Sequence, residues 1–205
     1  MATMTDGKKL AFGLTGGIAT GKSTAMRLIE KSNESVVVFD ADEVVQRLLA
    51  SVEVVSAIAE SLGMEVQYRD GTLNRSALRD LVFANPERRK QLEGILHPKV
   101  RKECLVKRQE WLKTSGSVIF VADVPLLFEG GFDFHQDLNL VVATSVETQR
   151  SRLKRRNYFN DEMISSILAA QLPISEKVGL ANIVFWNEGP EKVLESQLKH
   201  FFDVI

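Results

Sequence analysis

The residues Gly16-Gly17-Ile18-Ala19-Thr20-Gly21-Lys22-Ser23 fit the pattern G-x-x-x-x-G-K-[ST], between an apolar run and a helical stretch. In that setting the amides of Gly16 to Gly21 converge on phosphate oxygens and Lys22 reaches the β- and γ-phosphates of a nucleoside triphosphate. Ser23 ligates Mg²⁺, Thr24 follows it, and the helix N-terminus adds partial positive charge. The bland alternative is a glycine-rich turn that only packs helix against strand, and the correct flanks weigh against it.

A triphosphate with Mg²⁺ needs a second carboxylate at the end of a neighbouring strand. Asp123, after Ser117 to Ala122, is one candidate, and Asp40 and Asp42, after Val36 to Phe39, are the other. The strand ends of a parallel sheet gather around one crevice, so both sets can reach one site. A lone Asp after a strand is more often a helix N-cap or surface turn, but the Asp-x-Asp pair favours function for at least one member. Neither the D-x-x-G switch nor the N/T-K-x-D guanine reader of signalling GTPases is present. A small kinase needs instead a group that holds the acceptor hydroxyl and mobile arginines that neutralise the transferring phosphoryl group. Arg150, Arg152, Lys154, Arg155 and Arg156 form such a run; a solvated helix face is the competing reading, against which Arg152 or Arg156 would reach the phosphates from a lid.

The elements that must position these groups alternate along the chain. Apolar runs at Leu10 to Leu14, Val36 to Phe39, Ser117 to Ala122, Asp137 to Ala143 and Ala181 to Trp186 read as buried strands. Helices separate them, which predicts an α/β doubly wound fold with a five-stranded parallel sheet. The first helix runs from Lys22 to about Ser32. Between Asp42 and Ser117 the signals are helical only: Glu43 to Ser61, Asn74 to Ala84, Pro86 to Leu96 and Pro98 to Lys113, with Pro86 and Pro98 opening helices. A second helical pair, Val146 to Asn157 and Asp161 to Leu172, precedes the fifth strand. From Arg69 to Lys113 there are 12 basic against 6 acidic residues, a surface suited to an acceptor with its own phosphates, although much of that charge can be plain helix surface.

Composition excludes several classes. The 205 residues carry 26 Lys+Arg against 27 Asp+Glu, which argues against a dedicated nucleic-acid binder. The apolar runs are strand-sized, far below the roughly 20 residues a bilayer requires. The single Cys104 permits neither an internal disulfide nor a cysteine zinc cluster, and His97, His135 and His200 are too scattered for a metal cluster. Met1 to Lys9 is polar, without the apolar core of a signal peptide, so a cytoplasmic location is expected; the oligomeric state is not legible.

Beyond the phosphate loop, the strings Leu14 to Thr24, Asp40-Ala41-Asp42, Asp70-Gly71-Thr72-Leu73-Asn74-Arg75, Leu96-His97-Pro98, Asp123-Val124-Pro125-Leu126-Leu127-Phe128-Glu129, Gln149 with Arg152-Leu153 and Arg156, Gln171, and Asn187 with Gly189 occur in this order. In this the whole chain resembles the dephospho-CoA kinase family, and the Asp-Val-Pro-Leu-Leu-Phe-Glu string and the His-Pro pair are the more specific parts. The resemblance implies a three-layer P-loop kinase: a nucleotide-binding core at 1–42 and 114–205, an inserted helical acceptor domain at 43–113, and a helical lid at 146–172. It implies transfer of the γ-phosphoryl group of ATP to the ribose 3′-hydroxyl of dephospho-CoA. Asp42 would then orient or deprotonate that hydroxyl, with Asp40, Thr15 and His97 also on the substrate side. Arg152 and Arg156 would come from the lid, the Asn187-Glu188-Gly189 turn would lie against the adenine, and Asp123 would be either metal-facing or structural. The chain departs from the family's frequent Ala-Asp at Ala181-Asn182, which would change a charge near the nucleotide end. Two competitors are a nucleoside monophosphate kinase-like enzyme and a non-catalytic nucleotide-binding module.

Overall fold

The computed structural model describes residues 9–33, 35–116, 118–157 and 159–205. The expected signal-free stretch lies outside them up to residue 8, as does the expected strand start at 117. Five strands among the described residues, β1 (Leu10–Gly16), β2 (Val36–Asp40), β3 (Ile119–Asp123), β4 (Leu138–Ala143) and β5 (Ile183–Trp186), form one parallel sheet in the order β2-β3-β1-β4-β5. Leu14 is in register with Asp123, and Gly16 with Val142. β1 is therefore central, and whatever follows Gly16 emerges between the ends of β3 and β4.

Alternation along the strands divides the core into two faces. Phe12, Leu14, Val121, Leu140 and Val142 pack against α1 (Lys22–Ser32) and a C-terminal helix over Glu191–Val204, through Ile29, Leu194, Leu198 and Phe202. On the other face Val141 and Ala143 meet Ile174 and Val178 of a short helix, Ile174–Leu180, while Phe120 lies between Trp111 and Phe134 at centroid distances of 5.5 and 5.9 Å. Each such side chain, fully buried, contributes about 1.5 to 3 kcal/mol, which is what holds three layers together.

The chain divides into two compact units, residues 1–39 with 108–205, and residues 40–107. The second contains α2 (Ala41–Leu48), α3 (Val52–Leu62), α4 (Arg75–Ala84) and most of α5 (Pro86–Lys113). Its own core is Val54, Ile58, Ala59, Leu62, Val66, Leu78 and Leu96. Two expectations are corrected here. The stretch from Glu43 to Ser61 is two helices, because Ser51 takes an extended conformation and starts α3 as its N-cap. The helices expected on either side of His97-Pro98 are one continuous helix of 28 residues. Proline removes a helical hydrogen bond and crowds the carbonyl four residues back, here that of Gly94, and buried Leu96 and Val100 on either side anchor the helix through it. Pro86 does open the helix, and Asn85 Oδ1 accepts from the amides of Glu87 (2.9 Å) and Arg88 (3.3 Å).

A Cβ added at Gly94 would meet nothing within 4 Å. Gly94→Ala is expected to raise unfolding free energy by about 0.5 to 1 kcal/mol through helix propensity, measured by urea denaturation; a loss would mean that α5 needs the glycine to pass Pro98.

Candidate active site

The loop after β1 bends through left-handed backbone at Ala19 (φ 61°) and Gly21 (φ 97°), then enters α1 at Lys22. At Gly21 a side chain is barred twice, by its φ and by the Asn187 amide nitrogen packed against its Cα. The loop's carbonyls are engaged by side chains. Gly17 O accepts from Thr20 Oγ1 (2.8 Å), Ile18 O from Gln149 Nε2 (2.7 Å), and Ala19 O from Arg152 Nη1 (3.1 Å). Thr20 O accepts from Asn187 Nδ2 (2.8 Å) and from Arg152 Nη1 (3.3 Å). A loop bound from its carbonyl side turns amides to the other, the arrangement that receives an anion. Two amides are used internally: Ile18 N donates to Gln171 Oε1 at 3.0 Å, and Thr20 N to Gly17 O at 3.3 Å.

These partners come from α6 (Val146–Asn157), from the segment between α7 (Asp161–Ala169) and α8 (Ile174–Leu180), whose Gln171 accepts, and from the turn that joins β5 to α9 (Glu191–Val204). The basic run of α6 is thus divided by face. Arg152 points inward and also donates to Asn187 O at 2.8 Å. Arg150 donates to Ser165 Oγ (3.1 Å) and Lys154 pairs with Asp161 (2.7 Å), binding α6 to α7. Arg156, one turn beyond Arg152, is exposed.

Lys22 Nζ makes a salt bridge to Asp123 Oδ1, with both side chains largely buried. The register that sets Leu14 beside Asp123 makes this pair possible. Ser23 is exposed in the first turn of α1 and Thr24 is half-buried. Thr15 is fully buried and donates from Oγ1 to Pro125 O (2.9 Å), so its hydroxyl braces the strand end rather than facing a substrate. In the second unit, Asp40 caps α2, its Oδ1 accepting from Glu43 N at 3.0 Å, which is the helix-cap alternative, while Asp42 is exposed in the first turn. His97 is half-buried within α5.

Asn187 is buried and Gly189 exposed, so the former serves the loop with its side chain. Asn182 corrects an expectation. It precedes the first residue of β5, whereas Asn187 follows the last, so its substitution for an acid lies at the edge opposite the nucleotide end. There its Oδ1 accepts from Asn139 N at 2.7 Å, a bond an amide makes as well as a carboxylate. Gln149, Gln171 and Glu188 have functions here that residue-type reasoning did not assign; the first two stood only as members of the matched strings. Among the described residues no group of three or more His, Cys, Asp or Glu could hold a metal ion. The hard oxygens of Ser23 and Asp123 suit Mg²⁺ that arrives with phosphates and keeps waters, which needs only one or two protein ligands.

A sequence-family model described as dephospho-CoA kinase matches residues 10–192. The chain belongs to the dephospho-CoA kinase family. A dephospho-CoA kinase of Bacillus licheniformis is 37% identical over 95% of this chain and 96% of its own length, and that of Enterococcus faecalis 36% identical over 93% and 94%. Among solved structures, a Thermus thermophilus protein aligns with TM-score 0.77 at 31% identity over 96% of this chain and 98% of its own. The dephospho-CoA kinase of Campylobacter jejuni gives 0.69 at 26% identity over 94% and 95%. Shikimate kinase of Aquifex aeolicus, at 15% identity and TM-score 0.52 over 95% and 96%, shares the fold.

In this dephospho-CoA kinase family member, Glu188 locks the β5–α9 turn to the start of α6. Its carboxylate accepts from Thr148 Oγ1 (2.6 Å), Thr144 Oγ1 (2.7 Å) and the Ser145 amide. The Thr148 hydroxyl foremost, then the Ser145 amide and the Thr144 hydroxyl, hold its pKa down at about 2 from an ordinary 4.5. A depressed carboxylate stabilises the fold above its unfolded value and loses that contribution as pH falls through the folded one. Glu188→Gln is therefore expected to flatten the stability profile between pH 4.5 and about 2, followed by thermal unfolding across that range. An unchanged acid limb would mean that the carboxylate bonds do not form in solution.

Proposed function

We propose that this chain performs its family's reaction, ATP-dependent phosphorylation of dephospho-CoA to coenzyme A and ADP, with the acceptor oxygen being the ribose 3′-hydroxyl. The observation that carries the donor half is the loop of residues 16–21, held by its carbonyls with Lys22 at the mouth. Its amides and Lys22 bind the β- and γ-phosphates. Ser23 and Asp123 would hold Mg²⁺, which would supply charge neutralisation on the phosphate oxygens. Lys22 would share its charge between the phosphates and Asp123, its salt-bridge partner.

Asp42 accepts the proton of the acceptor hydroxyl as the oxygen–phosphorus bond forms and the bond to the β–γ bridging oxygen breaks. Because the transition state is loose, this carboxylate acts by orientation more than by basicity. Arg152 and Arg156 lie one turn apart on α6 and so share a face. Arg152 braces the loop and the Asn187 turn, and Arg156 brings its charge to the phosphoryl oxygens when the lid of residues 146–172 closes and excludes water. Residues 43–113 form the acceptor domain, their basic excess facing the acceptor's own phosphates. No helix among the described residues is long and apolar enough to cross a membrane; a cytoplasmic location is part of this proposal.

Coupled measurement of ADP release with dephospho-CoA and with a panel of nucleoside monophosphates tests the acceptor; preference for a monophosphate would overturn it. Asp42→Asn is expected to lower kcat by about 100-fold with KM for ATP nearly unchanged. Lys22→Ala is expected to lower kcat/KM for ATP by about 100-fold or more with the fold intact by circular dichroism, and wild-type kinetics in either variant would remove that residue from the mechanism.

A further inference from the structure

Lys177 is fully buried, in a seven-residue helix whose sequence, ISEKVGL, reads as ordinary surface. Its Nζ pairs with Glu129 Oε1 at 2.8 Å and donates to Gly16 O at 3.2 Å and Pro125 O at 3.1 Å. All three ammonium hydrogens are thereby used. Burying an ammonium is costly even when paired, and an apolar pair of similar volume is often as stable, so stability alone does not explain a lysine here.

Its two carbonyl partners do. Gly16 is the last residue of β1 and the first of the phosphate loop, while Pro125 lies two residues after Asp123. Between these strands the ladder ends with Val124 N donating to Leu14 O at 2.9 Å. Among the described residues the β1–β3 register stops at Leu14 and Asp123, short of the gap between the segment that leads to Lys22 and Pro125 after Asp123. Lys177 spans that gap, and Thr15 Oγ1 reinforces it on the same Pro125 oxygen. Glu129 extends the tie: its Oε1 also accepts from Leu172 N at 3.0 Å, and the preceding residue, Gln171, receives the Ile18 amide.

We infer that Lys177, neutralised by Glu129, is a positioning residue for ATP: it fixes the spacing of the phosphate loop against the Asp123 strand end and couples both to the base of the lid. This rests on the donor site proposed above and deepens it. A displacement of about 1 Å at a reacting centre can cost about 100-fold, so a residue that sets this spacing acts on catalysis without touching substrate.

The test is the double variant Lys177→Met with Glu129→Leu, which removes both charges and the carbonyl ties together. It is expected to unfold within about 4 °C of wild type. At the same time KM for ATP should rise about tenfold or more, with KM for dephospho-CoA within about twofold and a smaller ADP-induced rise in unfolding midpoint. Lys177→Arg, which keeps the charge and can reach both carbonyls, is expected to bring KM for ATP back to within about threefold of wild type. The inference is overturned by a folded double variant with wild-type ATP kinetics and ADP shift, by losses that fall equally on both substrates, or by an arginine variant no better than the double variant. A double variant that does not fold overturns it too, since Lys177 would then serve the fold as a whole. The ADP shift is read without an acceptor, so a wild-type protein that fails to phosphorylate dephospho-CoA would sink the acceptor assignment and leave this test standing.

Discussion

A peptide loop can present its amides to an anion only if its carbonyl oxygens are satisfied from behind, since an unpaired buried carbonyl costs about 1 to 3 kcal/mol. Residues 16–20 meet this condition one carbonyl at a time, through Lys177, Thr20, Gln149, Arg152, and Asn187 with Arg152 again. Apart from Thr20, in the loop itself, the partners are drawn from α6, α8 and the turn after β5, three distant segments brought to five backbone oxygens. The strand order sets the stage for this. With β1 between β3 and β4, the loop rises where the segments after β3, β4 and β5 can all reach it.

That arrangement makes α6, α7 and the loop one mechanical system. Helix α6 contributes Gln149 and Arg152 to the loop while Arg150 and Lys154 grip α7, and the same helix begins at residues bound by Glu188. A movement of α6 therefore cannot leave the loop unchanged. The division among the basic residues follows from helix geometry: positions 152 and 156 share a face, and 150 and 154 share another. A run of charge that composition shows only as a polar helix is two functional edges.

How far this was legible depends on whether the signal was local. The phosphate loop, the strands and the parallel sheet were readable because each is encoded by contiguous residues: glycines, β-branched runs, and the helices between them. The division at Ser51 was not, since helical periodicity continues on both sides of it and a lone serine gives a weak stop. Nor was the continuity of α5 through Pro98, where tertiary anchoring by Leu96 and Val100 overrides a propensity penalty of about 3 kcal/mol. Asn182 was misplaced because nearness in sequence to Asn187 hid that a strand's two ends face opposite edges of the sheet.

Lys177 shows the limit most clearly. Nothing in its neighbourhood distinguishes it from a solvated lysine, because what makes it buried is the arrival of Glu129, Gly16 and Pro125 from 48, 161 and 52 positions away. The same holds for Gln149 and Asn187, whose acceptors are 131 and 167 positions distant. The residues of the loop itself are contiguous, since one loop must wrap one anion. Those that hold the loop in shape are dispersed, since they must approach it from the side the anion does not occupy. A motif therefore marks where the chemistry happens, and the side chains that make the motif work can be found only once the sheet has brought the distant segments behind it.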